Sequence, residues 1–448
     1  GTQQPRIDGP EKVRGKARFA AEVPMDGLLH ASLVHSTIAK GRIAEIDTTA
    51  AEAAPGVALV MTYRNAPRMA PPPPMALTNP KAAGNQTLPI MQDDRVRWNG
   101  QAVAVVLADT RDQADHAATL VRVRYEAEPA RTHFEAGKAD AVTPDSLMIE
   151  PNRVTKGNAK KQLAEAAHSI DATYRTPWEN HNPIEPHACT IAWSDGADGG
   201  AKLTVHDAIQ AVHGARSTLA KVFGLKDDEV HVSSPFIGGG FGSKALWDHQ
   251  ILGVAAAKLA GRPVRIVLTR AGMHRLTGGR AETEQRVALG ADKDGKLTAL
   301  LHHGYASRPS HSVSDETFTL TGRNMYAAAS FDTVQHNVEL DLIANSFMRG
   351  PGEAPGTFAV ECAMDELAHA MGMDPIELRR RNVAHKNPIS GAPHSQSDMM
   401  AAFDMGAERI GWSRRNPKPG MRREGEWLIG MGCAAGTFPF VRIPGVSA

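Results

Sequence analysis

The sequence predicts an α+β fold built as two successive mixed α/β blocks, and three observations carry that prediction. Short apolar runs such as "GLLHASLVHS" and "QAVAVVLADT" dominate the first third of the chain, and runs of this length bounded by turn residues read as strands of a sheet. A polar stretch near residues 131–160 interrupts the pattern and marks a domain boundary. Beyond it strand-like and longer helical runs alternate, as they do where helices pack on a sheet. A length of 448 residues allows two or three domains, each with a core of its own.

In chain order, "QAVAVVLADT" leads into "RDQADHAATLVRVRYEAEP", which reads as helix then strand. Ahead of it, residues 67–89, "PRMAPPPPMALTNPKAAGNQTLP", are too rich in proline for a regular element and predict an extended surface loop, either solvated or a docking arm. "NAKKQLAEAAHS" predicts a short amphipathic helix and "KLTVHDA" a strand. "IQAVHGARSTLAKVFG" predicts a helix with Ile209, Val212, Leu219 and Phe223 on one face, ending at Gly224.

Next come a strand-like "EVHVSSPF", the glycine loop "GGGFGSKA" at residues 238–245, and a helical run, "KALWDHQILGVAAAKLAG", closed by Gly261 and Pro263. Strand, loop and helix in that order point free N–H donors and a helix N-terminus at an occupant of the loop, which favours an anion. A tight turn that merely needs glycine is the competing reading. The loop is not a Walker A motif, because Ser243 precedes Lys244 and Ala245 follows it, so the hydroxyl that such loops offer to Mg²⁺ is missing.

A second constrained loop surrounds Arg349, which is followed by Gly350, Pro351 and Gly352. Its guanidinium serves either a site or an ion pair, for example with Glu353. Asp374, Pro375 and Glu377 form a helix start of the N-cap, first-turn proline and capping-box kind, and Arg379, Arg380 and Arg381 at the far end read as scaffold.

Composition removes several function classes. With 50 basic and 49 acidic side chains there is no electrostatic preference for nucleic acid or an acidic membrane surface. No apolar run is long enough to span a bilayer, and the opening "GTQQPRIDGPEK" lacks a secretory signal pattern, so the chain reads as soluble. Cys189, Cys362 and Cys433 are far apart, which gives no iron–sulfur or zinc pattern and suggests buried packing residues.

The order of segments is more specific than any one of them. "GKARFAAEVPMDGLLHASLVHSTIAKGRIAEIDTTAAEAAPGV", "GQAVAVVLADTRDQADHAATLVRVRYE", "NHNPIEPHACTIAW", "LTVHDAIQAVHGAR", "GGGFGSK", "GGRAETEQRVALGADKDGKLTAL" and "MRGPGEAPGTFAVECAMDEL" occur in one register. In that order they resemble the molybdopterin-binding large subunit of the xanthine dehydrogenase/aldehyde oxidase family, nearest to bacterial three-subunit aldehyde dehydrogenases. The resemblance implies an a/b hammerhead domain over residues 1–135, a linker over 136–156, and the first part of a molybdopterin-binding domain over 157–448.

What it implies chemically is oxidation of aldehydes to carboxylic acids with water as oxygen donor. The cofactor is molybdenum–molybdopterin cytosine dinucleotide, and electrons leave through partner subunits carrying a 2Fe–2S cluster and FAD. Gly239, Gly240, Phe241 and Gly242 match the family's cofactor-facing glycine motif, and Gln210 its cofactor-facing glutamine, although Asp207 and Gln210 also have capping-box spacing. Arg349 matches the active-site arginine, a fixed cation for charge that grows on the substrate, with no side chain ligating the metal directly.

Ala245 stands where the family's purine oxidisers carry Glu, which favours an aldehyde over a polar heterocycle. The family's general-base Glu, in a GxGE segment, is expected outside this chain, in a remainder of the large subunit, and Glu353 is not taken as that base. Hydroxylation of an N-heteroaromatic ring, of isoquinoline or purine type, is the alternative at the same site, and a non-redox nucleotide-binding module is the alternative outside the family. Both the periplasm, reached with a signal-bearing partner, and the cytoplasm stay open.

Overall fold

A computed structural model describes residues 2–74, 84, 87–148, 150–195, 202–312, 314–394 and 398–437. Strand Ala102–Ala108 is buried at every position and organises the first half of the molecule. Its side chains alternate, so Val105 and Leu107 enter one core while Ala104 and Val106 enter another on the opposite face. A strand covered on both sides reads as an unbroken apolar run, and "QAVAVVLADT" is such a run.

The sheet has seven strands in the order Val230–Ser233, Leu203–Asp207, Ala188–Trp193, Val264–Val267, Leu29–His35, Ala102–Ala108 and Val57–Thr62. One face carries the helices Val212–Phe223 and Asp248–Ala260, whose Leu219, Ile251 and Val254 pack with Leu29, Ile191 and Ile266. The other carries helix Arg111–Ala118 and a three-stranded sheet of Arg95–Val96, Gly41–Asp47 and Arg122–Ala127. The two halves drawn from sequence meet inside this sheet, where Leu29–His35 pairs in parallel with Val264–Val267.

A second sheet of five strands runs His168–Thr176, Thr283–Ala291, Leu297–Pro309, Ser330–Leu340 and Val154–Lys156. Helix Glu353–Met371 lies on it, with Val360, Met364 and Leu367 against Leu289, Leu300 and Phe331. Strand Val154–Lys156 pairs with Ser330–Leu340, so the polar stretch at 136–156 is built into this layer rather than left as a free tether.

Helix ends agree with their glycines: Gly224 and Gly261 are left-handed C-caps, with φ of 67° and 62°. Asp374 caps its helix by accepting from the N–H groups of Ile376 and Glu377. Glu377 does not complete a capping box, because its carboxylate pairs with Arg381 at 2.9 Å. Most of the proline-rich loop's centre, residues 75–83 and 85–86, lies outside the described residues. Its ends are tucked in, Met69, Ile90 and Met91 being buried in the main core. Among the described residues no helix is long and apolar enough to cross a membrane.

Candidate functional site

Three loops meet between the two sheets. The first links strand Leu203–Asp207 to helix Val212–Phe223 and carries Gln210; the second follows strand Val230–Ser233 and carries the glycines; the third follows strand Ser330–Leu340 and carries Arg349. Gln210 is tied to the second loop twice, its N–H donating to Lys244 O at 2.8 Å and its Oε1 accepting from Gly242 N at 3.0 Å. Because Oε1 takes that N–H, the Nε2 amide is the end left for a ligand. The capping-box reading of Gln210 fails here. Helix Val212–Phe223 has Ala211 at its N-cap, and Asp207 is a buried strand residue that accepts from Gln250 Nε2.

The second and third loops are joined by Arg349 N–H donating to Phe241 O at 2.9 Å and by Ser346 Oγ donating to Gly242 O at 3.3 Å. A side chain at Gly242 would put its Cβ 1.9 Å from Phe347 O, at a φ of +107°, so only glycine permits this approach. Phe241 has a positive φ of 56°, unusual for a bulky residue, and its ring is half exposed beneath the Arg349 guanidinium, 6.0 Å from ring centroid to Cζ. The N–H groups of Gly239, Gly240 and Phe241 donate to no protein acceptor among the described residues. Three free donors in one turn, beside Gln210 Nε2 and a guanidinium, fit an anionic, oxygen-rich ligand.

The donors come from the loop itself. Helix Asp248–Ala260 starts six residues past Gly242 and its first residues, Asp248, His249 and Gln250, are buried. The expectation that its N-terminus faces the occupant is therefore corrected.

Behind the loop lies a buried polar support. Lys244 has a fully buried side chain and pairs with Glu185 Oε2 at 2.5 Å, and the same oxygen accepts from Gly238 N at 2.6 Å. Burial lowers the Lys244 pKa, and the adjacent Glu185 opposes that shift. Since Lys244 is spent on Glu185, it is not a phosphate-binding lysine, which removes the remaining basis for a nucleotide-loop reading. Ser243 O accepts from Trp247 Nε1 at 2.7 Å and lies 3.0 Å from His187 Nε2. Burial drives His187 down to about 3, so it is neutral and holds its proton on the nitrogen facing that carbonyl. Gln250 Nε2 donates to Ala245 O and to Asp207, whose carboxyl burial raises to about 7.

Every residue that the sequence singled out for the cofactor side is in this assembly: Gln210, Gly239, Gly240, Phe241, Gly242 and Arg349. Ala245 is half-buried one residue beyond Lys244. No ion pair joins Arg349 to Glu353 among the described residues; Glu353 opens helix Glu353–Met371, with a carboxyl raised by burial. A cavity of about 1930 Å³ reaches this region only at Phe347, Pro351 and Glu353, and neither Gln210 nor the glycines line it. Glu185, Glu179, Arg280 and Glu316 were not found from sequence. Each acts through a partner 36 to 101 residues away, and an isolated charge has no spacing to reveal that.

Comparison with known proteins matches residues 142–383 to the molybdopterin cofactor-binding domain and residues 14–129 to the a/b hammerhead domain of aldehyde oxidase and xanthine dehydrogenase. The aldehyde oxidoreductase molybdenum-binding subunit PaoC of Escherichia coli K12 is 35% identical over 440 residues, which cover 97% of this chain and 57% of that protein. The chain thus spans a little over half the length of this relative. Among solved structures, the aldehyde oxidoreductase of Desulfovibrio gigas superposes with a TM-score of 0.77 at 26% identity, over 92% of this chain and 47% of that one. Quinoline 2-oxidoreductase of Pseudomonas putida 86 shares the fold, with a TM-score of 0.80 at 24% identity, over 92% and 54% of the two chains.

Proposed function

The chain belongs to the aldehyde oxidase and xanthine dehydrogenase family, and we propose that it forms one side of a molybdenum hydroxylase site oxidising aldehydes to carboxylic acids with water as oxygen donor. The observation that carries this reading is the joining of Gln210, the glycine loop and Arg349 through Gly242 N–H on Gln210 Oε1 and Arg349 N–H on Phe241 O. When bound, a molybdopterin cofactor supplies the two-electron oxidation and the transfer of oxygen from water.

The amides of Gly239, Gly240 and Phe241, with Gln210 Nε2, would hold that group. They are fixed, neutral and small, so they bind an oxygen-rich anion with little reorganisation. Arg349 supplies positive charge for the substrate oxygen as it gains negative charge, and its main chain is anchored before substrate arrives. Ala245 offers no side-chain hydrogen bond to a purine-like ring, and a relative named as an aldehyde oxidoreductase subunit supports the same substrate class. The cofactor is taken as the cytosine dinucleotide form. Iron–sulfur and FAD subunits are taken as the electron acceptors, since the described chain shows only free, separated cysteines.

The test is a substrate panel on the purified holoenzyme with an artificial electron acceptor. Aldehydes should reduce the acceptor at least ten times faster than N-heteroaromatic rings. The reverse order would support ring hydroxylation, and no turnover with either class would sink both readings.

A further inference from the structure

The glycine and arginine loops are joined by Arg349 N–H donating to Phe241 O and by Ser346 Oγ donating to Gly242 O, and the arginine loop is held further by a buried ionic group. Arg280 has a side chain only 4% exposed. Its Nη2 donates to Arg349 O at 2.9 Å, its Nη1 to Gly350 O at 3.1 Å and to Glu316 Oε1 at 3.2 Å, and its Nε to Glu179 Oε2 at 3.1 Å. A planar guanidinium with donors in a fixed fork can serve two carbonyls and two carboxylates at once, which an ammonium cannot.

Glu316 completes the hold. Its carboxylate is 5% exposed and also accepts from Gly352 N at 2.5 Å, while its own main-chain carbonyl accepts from Gln335 Nε2 at 2.9 Å on strand Ser330–Leu340. Gly352 lies so close that a Cβ there would sit 2.5 Å from Thr317 Oγ1. From sheet to loop the connection therefore runs from Gln335 to the Glu316 backbone, from the Glu316 carboxylate to Gly352 and Arg280, and from Arg280 to the carbonyl of Arg349. Arg349 is held at both ends of its backbone, while its side chain lies over the Phe241 ring.

We propose that Arg280 and Glu316 are positioning residues for the reaction, setting where the Arg349 guanidinium stands without touching substrate. A buried ion pair is weak evidence of a stabilising role, because desolvation offsets much of its attraction. This pair, however, directs three hydrogen bonds to the main chain of one loop, at Arg349 O, Gly350 O and Gly352 N. A shift of about 1 Å in a charge stabiliser costs about 10²-fold in rate, so the variants should be read in kcat. The inference rests on the proposed role of Arg349, and the experiment separates the two.

Arg280→Lys, Glu316→Ala and Glu316→Gln are made in the holoenzyme, alongside Arg349→Ala. Hydrogen exchange is followed at the amides of Arg349 and Gly352, with kcat and KM for an aldehyde and the molybdenum content. Arg280→Lys and Glu316→Ala should speed exchange of both amides about tenfold or more and lower kcat about 10²-fold, with KM and molybdenum little changed. Glu316→Gln, which keeps an oxygen for Gly352 N–H, should recover most of the loss. Should Glu316→Ala not accumulate, Arg280→Lys and Glu316→Gln carry the test.

Wild-type exchange in Arg280→Lys would overturn the proposal. So would faster exchange with unchanged kcat in an enzyme that Arg349→Ala inactivates. If exchange accelerates but neither Arg280→Lys nor Arg349→Ala alters kcat, the hold on the loop stands and the role given to Arg349 is the part that fails.

Discussion

At the scale of single residues, the main chain of Arg349 is bonded on both sides, while among the described residues its side chain makes no ion pair and lies over the aromatic face of Phe241. That arrangement suits a charge needed only once substrate oxygen becomes negative. Arg349→Ala should therefore slow the reductive half-reaction by about 10²-fold or more, with molybdenum content unchanged. Rapid-reaction absorbance and metal analysis on the same preparation check both halves, and loss of metal in step with rate would make Arg349 structural. Gln210, the glycines and Arg349 were legible in the sequence because each belongs to a short segment with a recognisable order. The supports behind them were not: Lys244 had no partner legible in the sequence, and its capture by Glu185 is a contact across 59 residues.

At the scale of elements, the helix that begins at Pro375 shows how a local reading can be right in kind and incomplete in degree. The three arginines are scaffold, as their place at the helix end suggested, yet they differ in what they hold. Arg379 is fully buried, with 2.9 Å to Glu361 and 2.7 Å to Asp365, whereas Arg380 meets Asp404 at the surface. Removing one partner of a buried pair leaves the other charge unpaired, so Arg379→Ala should cost about 3–5 kcal/mol. Arg380→Ala should leave the urea midpoint unchanged, and equal effects of the two would refute the distinction.

The start of helix Asp248–Ala260 makes a second case. Burial raises the Asp248 carboxyl to about 7 from 3.8, and its Oδ1 has no partner among the described residues. The folded chain then holds this proton more tightly than the unfolded one between those two values. Its contribution to stability is full below the unfolded pKa and is lost as pH rises through about 7. Asp248→Asn, which cannot ionise, should gain on wild type by about 2–3 kcal/mol between pH 5 and pH 8. Urea titrations at the two pH values measure this, and an unchanged difference would show that Asp248 is ionised in the fold.

For the molecule as a whole, the strands and helices were readable from apolar period and glycine stops, but the division into two blocks was only half the arrangement. Leu29–His35 and Val264–Val267 lie far apart in sequence and pair in parallel within one sheet, and a parallel partner over such a distance has no turn between its strands to announce it. That sheet and the five-stranded sheet each deliver loops to the same place, which is why Gln210, the glycine loop and Arg349 meet. The central claim is that these loops cradle a molybdopterin cofactor, and Gly242 is where the cradle tolerates least, since any Cβ would collide with Phe347 O. Its most direct test is molybdenum and released nucleotide in purified wild-type protein and in Gly242→Ala, with circular dichroism showing both folded. The account predicts stoichiometric molybdenum with a cytosine nucleotide in the wild type and a large loss of both in Gly242→Ala; an ordinary nucleotide without molybdenum in the wild type, or full molybdenum in the variant, would contradict it.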